Sequence, residues 1–88
     1  MATLENDFLK VEISTKGAQL TSIINKETQT EHLWQADPQV WGYHAPNLFP
    51  IVGQLINDEL LVDGKAYKML CHGFAWHSEF VLLKSDDE

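Results

Sequence analysis

No stretch of this sequence keeps a helical period for more than about two turns. Short strand-like runs recur instead, roughly 8–12 residues apart and separated by turn residues. That pattern constrains the chain to an all-β, antiparallel architecture, a sandwich or a barrel. Leu9, Val11 and Ile13 alternate with Lys10, Glu12 and Ser14, the period of a strand with one covered face. Lys16-Gly17 marks a turn, and Gln19-Leu20-Thr21-Ser22-Ile23-Ile24 reads as a second strand. Residues 25–31 form a polar connection, after which His32-Leu33-Trp34 resumes an apolar stretch. Asp37 is placed to cap a short helical turn whose first position is Pro38. Pro46 and Pro50 make residues 45–53 an irregular or edge segment, because proline cannot donate to a sheet ladder. Asp63-Gly64 between Leu60-Leu61-Val62 and Lys65-Ala66-Tyr67-Lys68-Met69 predicts a type I′ hairpin. Phe80-Val81-Leu82-Leu83 predicts a last short strand, followed by a polar, frayed tail over residues 85–88. A sandwich of some six such strands would leave open edges, which invite further pairing. The sequence therefore reads as the first part of something larger.

Composition narrows the partners. The 88 residues allow one domain at most. Six lysines, no arginine and 13 acidic residues give a net charge of −7. Such a chain offers no basic footprint to nucleic acid or to an anionic membrane. No apolar run approaches the roughly 18–20 residues that span a bilayer, and the acidic start lacks the basic region of a signal peptide. One cysteine, Cys71, rules out an internal disulfide framework and suits a reducing compartment, so a cytoplasmic location is expected.

Candidate chemistry is sparse. His32, His44, His72 and His77 are the histidines. Cys71, His72 and His77 lie close in sequence, but a zinc site ordinarily draws four ligands and there is no second cysteine, so no metal is expected. Adjacent strand residues point to opposite faces, which separates Cys71 from His72 and leaves Cys71 as a buried free thiol. No glycine-rich phosphate loop or dinucleotide fingerprint can be written, so no cofactor is expected. Asp58-Glu59 reads as a solvated turn. Core packing accounts for most of the aromatic residues. Trp41-Gly42-Tyr43-His44 and His72-Gly73-Phe74-Ala75-Trp76-His77, however, combine flat rings with polar tips, a surface suited to stacking and hydrogen-bonding a sugar.

Three blocks, Trp34 to Trp41, Ala45 to Gly53, and His72-Gly73-Phe74-Ala75 followed by Ser78-Glu79-Phe80, resemble the aldose 1-epimerase (galactose mutarotase-like) family, and within it the LacX-type branch. The resemblance covers nearly the whole chain in order. It implies a large antiparallel β-sandwich, a supersandwich, of which residues 1–88 would be the N-terminal third of a single domain. It also implies a small-molecule partner, a free hexose or other aldose, whose α and β anomers are interconverted without metal or cofactor. In that reaction a carboxylate takes the anomeric hydroxyl proton while a histidine protonates the ring oxygen. His72 falls on a family active-site histidine and is the catalytic and substrate-binding candidate. The family's main acid, its sugar-binding aspartate and its base have no counterpart here, so no catalysis is expected from these residues alone. The branch usually carries arginine at two positions that are Gln54 and Trp76 here. These two are the other substrate-binding candidates, and neither can neutralise a phosphate. A sugar-binding module without turnover, or a truncated remnant, is the alternative. Oligomeric state is not legible.

Overall fold

The structure is a computed structural model and describes residues 1–86. The chain is built from β-strands and short 3₁₀ turns. β1 (Ala2–Glu5), β2 (Leu9–Ile13), β3 (Leu20–Asn25) and β4 (Thr30–Glu31) form a four-stranded antiparallel meander in the order β1-β2-β3-β4. β5 (Glu59–Val62) and β6 (Lys65–Lys68) form a separate hairpin.

Register explains the meander. Leu4 pairs with Val11, and Val11 with Ile23, so these side chains share one face. Glu5 pairs with Lys10, and Glu12 with Ser22, on the opposite and polar face. A bulge between Glu12 and Ile13 shifts the register where β2 leaves the sheet. The polar face is pinned at one end by the Glu31 carboxylate. It accepts the hydroxyl of buried Ser22, the Ile23 N–H at 2.8 Å and the Leu33 N–H at 3.0 Å. Those donors hold the Glu31 carboxyl below the usual carboxylate range, the Ser22 hydroxyl foremost.

In the hairpin, Asp63 (φ 50°) and Gly64 (φ 77°) both take the left-handed conformation of a type I′ turn, as the Asp-Gly pair predicts. Residues 45–53 carry no strand, again as expected. At residues 37–41 the Val40 and Trp41 N–H groups donate to the Asp37 carbonyl, and the Gln39 N–H to its carboxylate.

Several expectations need correction. The polar connection expected over residues 25–31 is shorter, because Asn25 pairs with Thr30 as the ends of β3 and β4. β1 was not anticipated, because four residues with only two apolar positions carry little period. Phe80-Val81-Leu82-Leu83 is not a strand: the Phe80 N–H donates to the Thr15 carbonyl at 2.8 Å, and Val81, Leu82 and Leu83 find no ladder. Cys71 is half-buried rather than buried, and it and His72 stand in a turn rather than on a strand. The frayed tail expected at residues 85–88 falls partly outside the described residues.

The fold is a thin leaf, 53 × 34 × 15 Å, with a radius of gyration of 16.5 Å. A compact domain of this length would have a radius of about 12 Å. Among the described residues, only Met69 and Ala75 of the apolar side chains are buried, at 8% and 6% exposure. The accessible surface is 6749 Å², where a compact protein of this mass would show about 5,200 Å². No helix among the described residues is long and apolar enough to cross a membrane.

Candidate functional site

Two of the family-like blocks clip together through backbone hydrogen bonds. The Phe49 carbonyl accepts the Phe74 and Ala75 N–H groups at 3.0 and 3.1 Å, and Phe49 bridges to Gly73. The close approach demands glycine: a Cβ at Gly73 would lie 2.2 Å from the Phe49 oxygen. One turn further, the His72 N–H donates to the Gly53 carbonyl at 2.8 Å, while the Gly53 N–H donates to His72 Nδ1 at 3.1 Å. His72 itself sits at φ 67°, a conformation rare for a residue with a Cβ. The 3₁₀ turn Ala75–His77 then carries Trp76 back over this loop, its indole N–H donating to the Gly73 carbonyl at 3.2 Å.

Around Trp76 the aromatic side chains gather. Its ring centroid lies 4.9 Å from Tyr43, 5.9 Å from His72 and 3.9 Å from His77, and Tyr43 in turn lies 5.9 Å from Trp41. The segment bearing Trp41 and Tyr43 is tied down at both ends. The Trp34 indole N–H donates to the Trp41 carbonyl at 2.9 Å, and the Gln19 side-chain oxygen accepts the His44 and Ala45 N–H groups. Trp41, Tyr43, Pro46, Leu48, His72 and Trp76 line a cleft of about 400 Å³. Its walls are apolar rings, with the His72 imidazole and the Tyr43 phenol as polar tips. None of the six carries a formal positive or negative charge when the histidine is neutral.

The cleft thus joins two of the three expected site residues, His72 and Trp76. Gln54 stands outside it: exposed, it donates its side-chain amide to the Asp58 carboxylate at 3.2 Å. Trp41 and Tyr43 enter the lining from the aromatic motif read as suited to a sugar, whereas Pro46 and Leu48 were not singled out for the site. Tyr43 was legible as an aromatic beside a glycine, and Pro46 and Leu48 as alternate positions of one extended segment. His32 and His44 do not line the cleft. Another hollow, of about 490 Å³ along Lys68, Met69, Leu70, Gly73, Phe74 and His77, has no comparable stack of rings over a histidine. Among the described residues no three His, Cys, Asp or Glu side chains gather as they would around a metal ion.

The fold and its clipped loops define a galactose mutarotase-like β-protein. The chain overlays the galactose mutarotase related enzyme of Lactobacillus acidophilus with a TM-score of 0.90 and 46% identity, over 98% of this chain and 29% of that one. It overlays a galactose mutarotase-like protein of Lactobacillus casei with a TM-score of 0.92 and 38% identity, over 99% of this chain and 30% of that one. The family model of aldose 1-epimerase matches residues 1–88, and the chain belongs to that family. It is 43% identical over 84 residues to the plasmid-borne protein LacX of Lactococcus lactis, covering 90% of this chain and 28% of LacX. The chain therefore spans less than a third of the length of each of these relatives.

Proposed function

We propose that residues 1–88 are the N-terminal third of a single aldose 1-epimerase-like sandwich, and that the cleft over His72 binds a neutral aldose whose α and β anomers the complete protein interconverts. The observation that carries this reading is the cleft itself, where a histidine fixed by Gly53 meets the ring of Trp76, which in turn packs against Tyr43. Pyranose rings present C–H faces to aromatic walls and hydroxyls to polar tips, so this lining suits a sugar. The absence of a cation from the lining favours a free hexose over a hexose phosphate, whose recognition calls for bidentate arginine. Family membership supports the anomeric reaction, and the coverage of relatives supports the placement within a longer domain. His72 binds substrate and assists catalysis, Trp76 stacks on the ring, and Gln54 contacts the sugar only after leaving Asp58. An unpaired Cys71 and the acidic composition fit the cytoplasm.

One observation favours a second reading, a sugar-binding module without turnover: among the described residues no carboxylate lines the cleft. Polarimetry of freshly dissolved α-glucose or α-galactose with the complete protein separates the two. Catalysed mutarotation that falls about 100-fold or more in a His72→Ala variant supports the enzyme. Saturable sugar binding with no rate above buffer supports the module. Mutarotation unchanged in His72→Ala removes His72 from the site.

A further inference from the structure

We infer that Gly53 holds the neutral ring of His72 in the Nε2–H tautomer, so that this histidine meets its ligand as a hydrogen-bond donor and not as a proton acceptor. In a neutral imidazole one nitrogen carries the proton and the other accepts. Here the Gly53 N–H, which can only donate, lies 3.1 Å from Nδ1, so Nδ1 must present its lone pair and Nε2 must carry the hydrogen. The same residue takes the His72 backbone N–H on its carbonyl at 2.8 Å. This reciprocal pair fixes both the ring and the backbone it hangs from, and the Trp76 ring packs edge-on against the imidazole, 5.9 Å away at 77°. Among the described residues no group accepts a hydrogen bond from Nε2, and His72 lines the cleft.

The consequence for the ligand rests on the sugar reading above. A pyranose ring oxygen has lone pairs and no hydrogen, so only a donor can satisfy it, and Nε2–H is such a donor. Gly53 is thus a positioning residue acting through its main chain. His72 in this state cannot be the base that takes the anomeric proton, because its free lone pair is already used by Gly53.

The test is a two-bond ¹H–¹⁵N correlation spectrum of ¹⁵N-histidine-labelled complete protein at about pH 8. His72 is assigned by the signal lost in a His72→Gln variant or, if that variant does not fold, by its ring contacts with Trp76. The expected pattern is a protonated Nε2 and a bare Nδ1. A protonated Nδ1 overturns the inference whatever the protein binds. Galactose titration supplies the second readout. Glutamine reaches as far as Nε2 and keeps a donor there, whereas asparagine ends near Nδ1. His72→Gln should therefore retain affinity within about threefold, and His72→Asn should lose about tenfold or more. Equal losses in both variants overturn the donor role. An Nε2–H signal in a protein that binds no aldose leaves the tautomer standing and removes the sugar reading.

Discussion

Replacing Gly73 by alanine tests how the histidine loop is held, and Gly64→Ala is its control because both glycines sit at φ 77°. At Gly64 nothing lies within 4 Å of the added Cβ, so the substitution costs only the left-handed conformation, about 1 kcal/mol. At Gly73 the same conformational cost applies, but the Cβ would lie 2.2 Å from the Phe49 oxygen, 2.5 Å from its carbonyl carbon and 2.8 Å from the Pro50 nitrogen. All three are backbone atoms and cannot rotate away. The loop must retreat by about 1 Å, an overpacking cost of about 1–3 kcal/mol. That retreat stretches the two hydrogen bonds from the Phe74 and Ala75 N–H groups to the Phe49 carbonyl, each contributing about 1 kcal/mol. Gly73→Ala should therefore destabilise by about 4 kcal/mol and Gly64→Ala by about 1. Urea unfolding of the complete protein, followed by tryptophan fluorescence, reads the gap as a difference in midpoint. Equal midpoints for the two variants would refute the claim that the Phe49–Gly73 approach holds the loop.

Glu31 should confer an acid limb on stability. Its carboxyl is held below the usual 4.5 chiefly by the Ser22 hydroxyl, then by the Ile23 N–H. A depressed folded-state value means stabilisation that is complete above the unfolded value and lost as pH falls through the folded one. Urea midpoints measured from pH 7 to pH 3 should fall more steeply in the parent than in Glu31→Gln, and parallel profiles would show that the Ser22–Glu31 contact contributes nothing. For the cleft, Trp76→Ala should weaken galactose binding by about tenfold, one stacked ring being worth about 1.4 kcal/mol. Gln54→Ala should change it by less than about threefold, since that side chain is engaged with Asp58 outside the lining. Calorimetric titration of both variants decides, and a larger loss at Gln54 than at Trp76 would move the site toward the 3₁₀ turn Ile56–Asp58.

Local periodicity carried the parts of the fold in which neighbours in sequence decide the structure. The alternation of Leu9, Val11 and Ile13 places them on the Leu4–Ile23 side of the meander, and Asp63-Gly64 needs only its own φ values to set the β5–β6 register. Where a distant partner decides, local pattern fails. Ala2–Glu5 becomes a strand because Glu12 and Val11 stand opposite it, whereas Phe80–Leu83 has strand composition and no ladder. The same holds for the site. No period or spacing distinguishes His72 from His32, and it was reached through the family-like block that contains it. The tilted Tyr43–Trp76 pair joins residues far apart in the chain and was visible only as two separate aromatic motifs.

Chemistry and surface point to the same missing contribution. On the proposed reading, anomer exchange needs a group to take the proton from the anomeric hydroxyl. Among the described residues the cleft supplies aromatic walls, a phenol and an imidazole whose Nδ1 lone pair is committed to Gly53, and no carboxylate. The base must then arrive from residues that pack over this leaf. The leaf is prepared for such packing: Phe49, Phe74, Leu70 and Ile56 stand exposed, and the accessible surface exceeds that of a compact protein of this mass by about 1,500 Å². A second layer stacked about 10 Å away, as in any sandwich, would cover those side chains and could carry a carboxylate to the rim of the cleft in the same step. The proposed enzyme therefore gains its core and its base together. A complete protein whose cleft stayed open to solvent after folding would break that link, and tryptophan quenching by iodide, strong at Trp41 and Trp76 in such a case and weak if the layer closes, would reveal it.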